Sequence, residues 1–144
     1  MPKFWRPKLD ESQRRDAGII HWDLVTRFCD GTATADDLWD WIETSFTYSQ
    51  MMRMLAEDGT DFTPEAMNAI AEQLDTYGAV IERFRHTGRV GFDAEQLRIA
   101  RAAANVMDAL LEADRHGIAV RAGQWAIEQT HRARNSARTL EASQ

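Results

Sequence analysis

Three glutamate–histidine pairs in this chain stand one helical turn apart: Glu82 with His86, Glu112 with His116, and Glu128 with His131. A carboxylate and an imidazole at that spacing can share a metal ion. Helical di-metal sites take a Glu-x-x-His pair from each of two helices and add further inward glutamates. Only Glu128 and His131 have that spacing, and a single pair does not complete such a site. The other two fall where last helical turns are expected, and there a cation suits the helix dipole in any case. The set reads as exposed charge pairs and caps. Glu128 and His131 are the residues on which a metalloprotein or enzyme would have to rest, and no cofactor is implied.

Covalent catalysis needs a nucleophile, a base within reach and a group to stabilise an oxyanion. No nucleophile-elbow pattern occurs, the serines sit in polar, cap-like positions, and no catalytic residue is assigned. The single cysteine, Cys29, can form neither an internal disulfide nor a cysteine zinc site. Near a helix C-terminus its thiolate would face the unfavourable end of the dipole, so an inert, partly buried thiol is expected. The GRVG stretch, Gly88 to Gly91, precedes a helix and includes Arg89. It lacks the lysine and the length of a phosphate-binding loop, and Asp93 would itself occupy the helix start, so it reads as a plain turn. His21 projects beside Ala17, Leu24 and Phe28 on an apolar helix face. It is either a pH-sensitive or ligand-binding imidazole, or a core histidine bonded to a neighbouring backbone group.

Charge is strongly segregated. Residues 30–75 hold eleven acids and one base, Arg53, whereas the rest of the chain holds sixteen bases and twelve acids. The acids are spaced within helical patterns rather than run together as a tail. After Thr34, Asp36, Asp40 and Glu43 fall on one helix face, with Trp39 at the border between that face and the apolar stripe. Such a row fits a basic protein surface, or mimics spaced phosphates, or is a solvated helix face with Trp39 covering the core edge. The opposite pole is Lys3, Phe4, Trp5, Arg6 and Lys8, an arm of bases interleaved with aromatics. Such an arm can contact phosphates and stack on bases, or fold onto the acidic block of its own chain or of a second copy. The net charge of −6 disfavours nucleic acid and anionic membrane over most of the surface. Direct nucleic-acid binding is therefore not expected, and a homodimer remains open. Trp5 and Trp39 are the tryptophans expected to be at least partly exposed.

These residues must be positioned by helices. At 144 residues one domain is the starting expectation, long enough to bury a core without metal or disulfide staples. Two of the three prolines are Pro2 and Pro7, so the remainder is nearly free of breakers. Asp10 and Gln13 form a capping box for a helix to about Asp30, halted by Gly31, with Ala17, Ile20, Leu24, Val25 and Phe28 inward. Thr34 caps a second helix with Asp36 and Asp37 in its first turn and Leu38, Trp41, Ile42 and Phe46 inward. The hydroxyl-rich stretch Thr44 to Ser49 predicts a kink or break, followed by a short helix to Gly59. Thr63-Pro64-Glu65 is a helix start. Met67, Ile70, Leu74, Tyr77, Ile81 and Phe84 then make a seam for a partner helix, closed by Gly88. Asp93 and Gln96 cap a helix rich in alanine (Ala100, Ala102, Ala103, Ala104) that runs to His116-Gly117. A last helix, about Ala119 to Arg138, turns Ala122, Trp125 and Ala126 inward. No strand shows sustained alternation.

The fold expected is all-α, a single-domain bundle of five or six mostly antiparallel helices. A basic aromatic arm covers residues 1–9, the bundle 10–140 and a frayed tail 141–144. No apolar stretch of signal-peptide or membrane-span length is present, so a cytoplasmic location is the default.

The segments FWRPK (Phe4 to Lys8) and TGRVGF (Thr87 to Phe92) resemble features of small all-helical proteins of proteobacterial plasmids and other mobile elements. The resemblance implies a bacterial accessory protein. It supplies no catalytic residues and favours a role in conjugation or in interference with host defence. The leading expectation is a non-enzymatic protein that engages a basic partner through Asp36, Trp39, Asp40 and Glu43. A narrower expectation makes that partner a host nucleic-acid-binding defence protein, inhibited by phosphate mimicry.

Overall fold

The computed structural model describes residues 9–114 and 117–142, with side chains to Arg138 at the C-terminal end. Five helices are packed together: α1 (Glu11–Asp30), α2 (Ala35–Glu57), α3 (Pro64–Thr87), α4 (Ala94–Ala113) and α5 (Ile118–Ala142). No strand occurs among the described residues, and no described helix is long and apolar enough to cross a membrane. The arm residues Lys3, Phe4, Trp5, Arg6 and Lys8 lie outside the described residues, as does His116.

Helix starts follow local chemistry. Asp10 Oδ1 accepts from the Gln13 amide at 2.8 Å while Gln13 Oε1 accepts from the Asp10 amide at 2.9 Å. Asp93 and Gln96 repeat the arrangement for α4. Thr34 does so for α2, with Asp37 reaching back to the Thr34 amide at 2.8 Å. Each box satisfies amides that have no partner within the helix. Helix α5 starts on a device no box pattern reveals. Buried Asp114 accepts from the amides of Ile118 at 2.8 Å and Ala119 at 2.9 Å. The helix continues to Ala142 and so takes in part of the expected tail.

The expected break at Thr44 to Ser49 does not occur, and α2 is continuous. The hydroxyls that argued for a break bond back within the helix instead. Thr44 donates to the Asp40 carbonyl, Ser45 to that of Trp41 and Thr47 to that of Glu43, at 2.8–2.9 Å. Back-bonding of this kind is itself slightly unfavourable to helix. Burial of Ser45 and Tyr48 against neighbouring helices then supplies what propensity withholds.

Helix α2 packs along α5 and against α3, while α4 receives both α1 and α3. Two apolar clusters result. In one, Tyr48, Met51, Met52 and Leu55 meet Met107, Leu110 and Leu111 of α4 and Ile118 and Ala122 of α5. In the other, Leu24 and Phe28 meet Leu38, Trp41 and Ile42, closed by Val80 and Val90. The TGRVGF turn belongs to this second cluster. Val90 is buried, and the Phe92 ring lies 4.7 Å from Phe28 and 5.1 Å from Trp41. Gly88 ends α3 at φ 72°, where a Cβ costs about 1–2 kcal/mol. A Cβ on Gly91 would stand 3.3 Å from the Phe28 carbonyl oxygen. Arg83 Nη1 donates to the Gly91 carbonyl and to Gln96 Oε1, each at 2.8 Å, fastening the turn to the start of α4.

The expected α3 seam holds in part: Tyr77, Ile81 and Phe84 pack, partly buried, against the second cluster. Ile70 is buried, but Met67 is 49% exposed, and the other fully buried positions are Gln73 and Val80. Gln73 Nε2 donates to Ser45 Oγ at 2.8 Å across the α2–α3 contact. A purely apolar pattern cannot reveal a buried polar pair of this kind. Two further corrections concern α1. Ile20 is 58% exposed rather than inward, and Cys29 is exposed rather than partly buried. With α2 on one side and α4 on the other, the buried stripe of α1 narrows to His21, Leu24, Val25 and Phe28.

Candidate functional site

The first turn of α2 divides the acidic row. Asp37 turns inward, its side chain 7% exposed, and pairs with Arg27 of α1 at 2.9 Å; Arg27 also holds Asp23 at 3.0 Å. Asp36 turns outward, 82% exposed, and pairs with Arg134 of α5 at 3.2 Å. The Arg134 guanidinium lies 5.7 Å from the centre of the half-buried Trp39 ring. Asp36 and Trp39 thus already have a cation of their own chain.

Asp40 and Glu43 do not. Among the described residues neither carboxylate makes a hydrogen bond or an ion pair. Both have pKa values raised from their ordinary ones. For Asp40 the cause is partial burial, then Asp37 and Asp36, with Arg27 and Arg134 offsetting only part. For Glu43 it is partial burial and then Asp40. With Asp23 these two line a cleft of about 280 Å³ between α1 and α2, whose apolar wall is Ile20 and Leu24 and whose one base is Arg27, already paired with Asp23 and Asp37.

Asp23 also borders a larger groove of about 810 Å³ between α1 and α4, with Ile19 and Trp22 among its walls, where the acids Glu11, Asp23, Asp108 and Glu112 outnumber the bases Arg14 and Arg15. Ile19 and Ile20, 59% and 58% exposed, lie on α1 where the groove and the cleft adjoin.

The groove wall carries a polar relay. Asp108 of α4 accepts from His21 Nε2–H and from Trp22 Nε1–H, each at 2.9 Å. The other ring nitrogen of His21 lies 3.3 Å from the Tyr48 hydroxyl of α2. Burial lowers the His21 pKa, opposed by Asp108. The ring is therefore neutral, donating to Asp108 through Nε2 and accepting from Tyr48 through Nδ1. Burial, and then Asp108, likewise push the Tyr48 hydroxyl far above its ordinary value. With both nitrogens engaged and the ring 3% exposed, His21 has no free lone pair to offer a substrate. Its role is to tie α1 to α2 and α4 and to orient the Asp108 carboxylate, which is 48% exposed.

No protein family, curated protein or solved structure matches this chain.

The remaining candidates are scattered. Glu128 pairs with Arg132 at 2.6 Å, and His131 is exposed on α5. Glu82 is shared by Arg85 at 3.1 Å and His86 at 3.3 Å. No cluster of three or more metal-ligating side chains occurs among the described residues. Of the C-terminal bases, Arg132 and Arg134 are both paired with acids.

Two features escaped the sequence. Asp108 follows Met107 on an amphipathic helix and looks like any solvated acid. The signal was on the other partner, because a histidine on an apolar face needs hydrogen-bond partners. Nothing in the spacing says which helix supplies them. The second feature is the exposure of Ile19 and Ile20, which is invisible until α1 is docked.

Proposed function

We propose that this chain is a non-enzymatic interaction protein whose α1 ridge receives a basic, amphipathic segment of a partner protein. One observation carries the reading. Two adjacent exposed isoleucines, Ile19 and Ile20, lie between Asp40 and Glu43, which make no direct ion pair among the described residues, and the oriented carboxylate of Asp108. Crowded carboxylates with raised pKa values gain from an incoming cation. An apolar ridge with an acidic rim matches a helix with leucines on one face and lysines or arginines beside them.

Magnitudes divide the labour. A rim ion pair contributes about 0–1 kcal/mol, whereas burying an isoleucine contributes about 1.5–3 kcal/mol. The isoleucines supply affinity; the carboxylates supply orientation, rate and choice of partner. The surface is accordingly centred on α1 rather than on Asp36 and Trp39, whose cation is Arg134. The narrower reading, a nucleic-acid-binding defence protein as partner, uses the same carboxylates and adds competition with nucleic acid.

The test is binding of a synthetic leucine–lysine amphipathic helix, with a leucine–glutamate helix of the same pattern as control. Reversing Asp40 and Glu43 to lysine abolishes the salt-sensitive part of binding. Ile19→Asp with Ile20→Asp abolishes the rest, and reversing Asp36 has the smallest effect. Equal binding of both helices, or indifference to the Asp40 and Glu43 reversal, overturns the reading.

A further inference from the structure

A second recess lies where α2, α3 and α5 meet, formed by residues other than those of the α1 ridge and independent of the reading above. Its volume is about 220 Å³, and its apolar lining is Trp39 from α2 and Ile81 and Phe84 from α3, above the fully buried Leu38. Three arginines line the same recess, Arg85, Arg134 and Arg138, and the Arg134 guanidinium lies over the Trp39 ring. In a chain of net charge −6, three arginines around one apolar recess, with no acid among its lining residues, reverse the local balance.

The charges there are weakly held. Arg85 pairs with Glu82, whose side chain is 55% exposed, and Arg134 with Asp36, 82% exposed. Exposed pairs of this kind are worth about 0–1 kcal/mol. Arg138 pairs with no acid among the described residues. An incoming carboxylate whose tail covers the apolar lining competes with such weakly held partners. The planar guanidinium matches a carboxylate through paired N–H donors.

Size narrows the occupant. Pockets that enclose drug-sized ligands measure about 300–1,000 Å³, and this recess is smaller, enough for one short acyl chain or one aromatic ring. We propose that it binds a small hydrophobic monocarboxylate. The tail lies against Trp39, Ile81 and Phe84, and the carboxylate is held by Arg134 and Arg138. A cationic or neutral amphiphile of the same length lacks the group the arginines select.

Titration of the full chain with octanoate, followed by calorimetry and by amide chemical shifts, tests this. Octanol, acetate and octyltrimethylammonium serve as the controls. Octanoate binds saturably and shifts the amides of Leu38, Ile81 and Phe84, while the controls bind at least about tenfold more weakly, the loss expected of a charge-assisted hydrogen bond. Arg134→Gln with Arg138→Gln produces a comparable loss. Arg138→Gln alone, at an exposed residue with no acid partner among the described residues, keeps the fold intact and still weakens binding. Octanol binding as tightly as octanoate, no effect of either arginine variant, or shifts confined to other helices overturns the proposal. Binding of a peptide with a hydrophobic C-terminal residue, but not of octanoate, overturns it in favour of a protein-docking surface.

Discussion

Replacing Asp108 with alanine removes the acceptor that His21 and Trp22 share. His21 is 3% exposed, so water cannot take up the freed Nε2–H, and an unsatisfied buried donor costs about 1–3 kcal/mol. Trp22 is half-buried at the groove wall, where water substitutes for the carboxylate, and its loss approaches the net value of an ordinary hydrogen bond, about 1 kcal/mol. The variant is therefore less stable by about 2–4 kcal/mol. Unfolding entropy of about 2.1 cal/mol/K per residue over 144 residues makes each kcal/mol worth about 3 °C, so the midpoint falls by about 6–12 °C. Urea and thermal unfolding by circular dichroism would be measured for wild type, Asp108→Ala, His21→Phe and the double variant. In the His21→Phe background no buried ring N–H is left stranded, so Asp108→Ala costs much less there. An equal cost in both backgrounds, or a single-variant cost below about 0.5 kcal/mol, the ordinary range of surface changes, would refute the reasoning. The pH dependence gives an independent check. The folded pKa of His21 is lowered from 6.5, so between that lowered value and 6.5 the unfolded chain binds more protons than the folded one. Stability from this residue is complete above 6.5 and is lost as pH falls through the window. Asp108→Ala widens the window, because Asp108 opposes the lowering, and His21→Phe abolishes it.

Ser45→Ala leaves the buried Gln73 amide without its acceptor and destabilises by about 1–3 kcal/mol, measurable by urea titration. Met51→Ala, at a side chain with 0% exposure in the α2–α4–α5 cluster, costs about 2–5 kcal/mol, with the same readout. Asp40→Asn with Glu43→Gln acts in the opposite direction. Their raised pKa values mean that the folded chain binds protons more readily than the unfolded one. Ionisation of these groups therefore costs stability as pH rises through the carboxylate range. The double variant should have a higher thermal midpoint at neutral pH and a flatter profile between acid and neutral pH, while losing partner binding. A lowered midpoint would show that the two carboxylates have structural partners.

Much of the architecture was legible because helix starts and stops are local. The Asp10, Thr34, Thr63 and Asp93 caps and the Gly31 and Gly88 stops each involve residues within a few positions of one another. Sequence spacing alone brings such groups together. The expected break in α2 failed for the complementary reason. Hydroxyl residues weigh against helix in isolation, yet Ser45 and Tyr48 are buried by helices distant in sequence. The acidic row was legible as a row, since helical projection places Asp36, Asp40 and Glu43 together. Its division into a paired half and an unpaired half was not.

Composition, caps and periodicity by themselves determined an all-helical chain, the positions of its helices within a few residues apart from the break wrongly expected in α2, and the segregation of charge. These are properties of short stretches, set by backbone hydrogen bonding and the helical repeat. Only the tertiary structure decided which charges are neutralised. Arg134 stands 98 residues from Asp36, and Asp108 stands 87 from His21. It also decided that Ile19 and Ile20 face outward, because the buried width of a helix depends on which neighbours flank it. The candidate surfaces are products of that packing. Coulomb attraction and apolar burial act through space, so partners far apart in the sequence meet only once the helices are assembled.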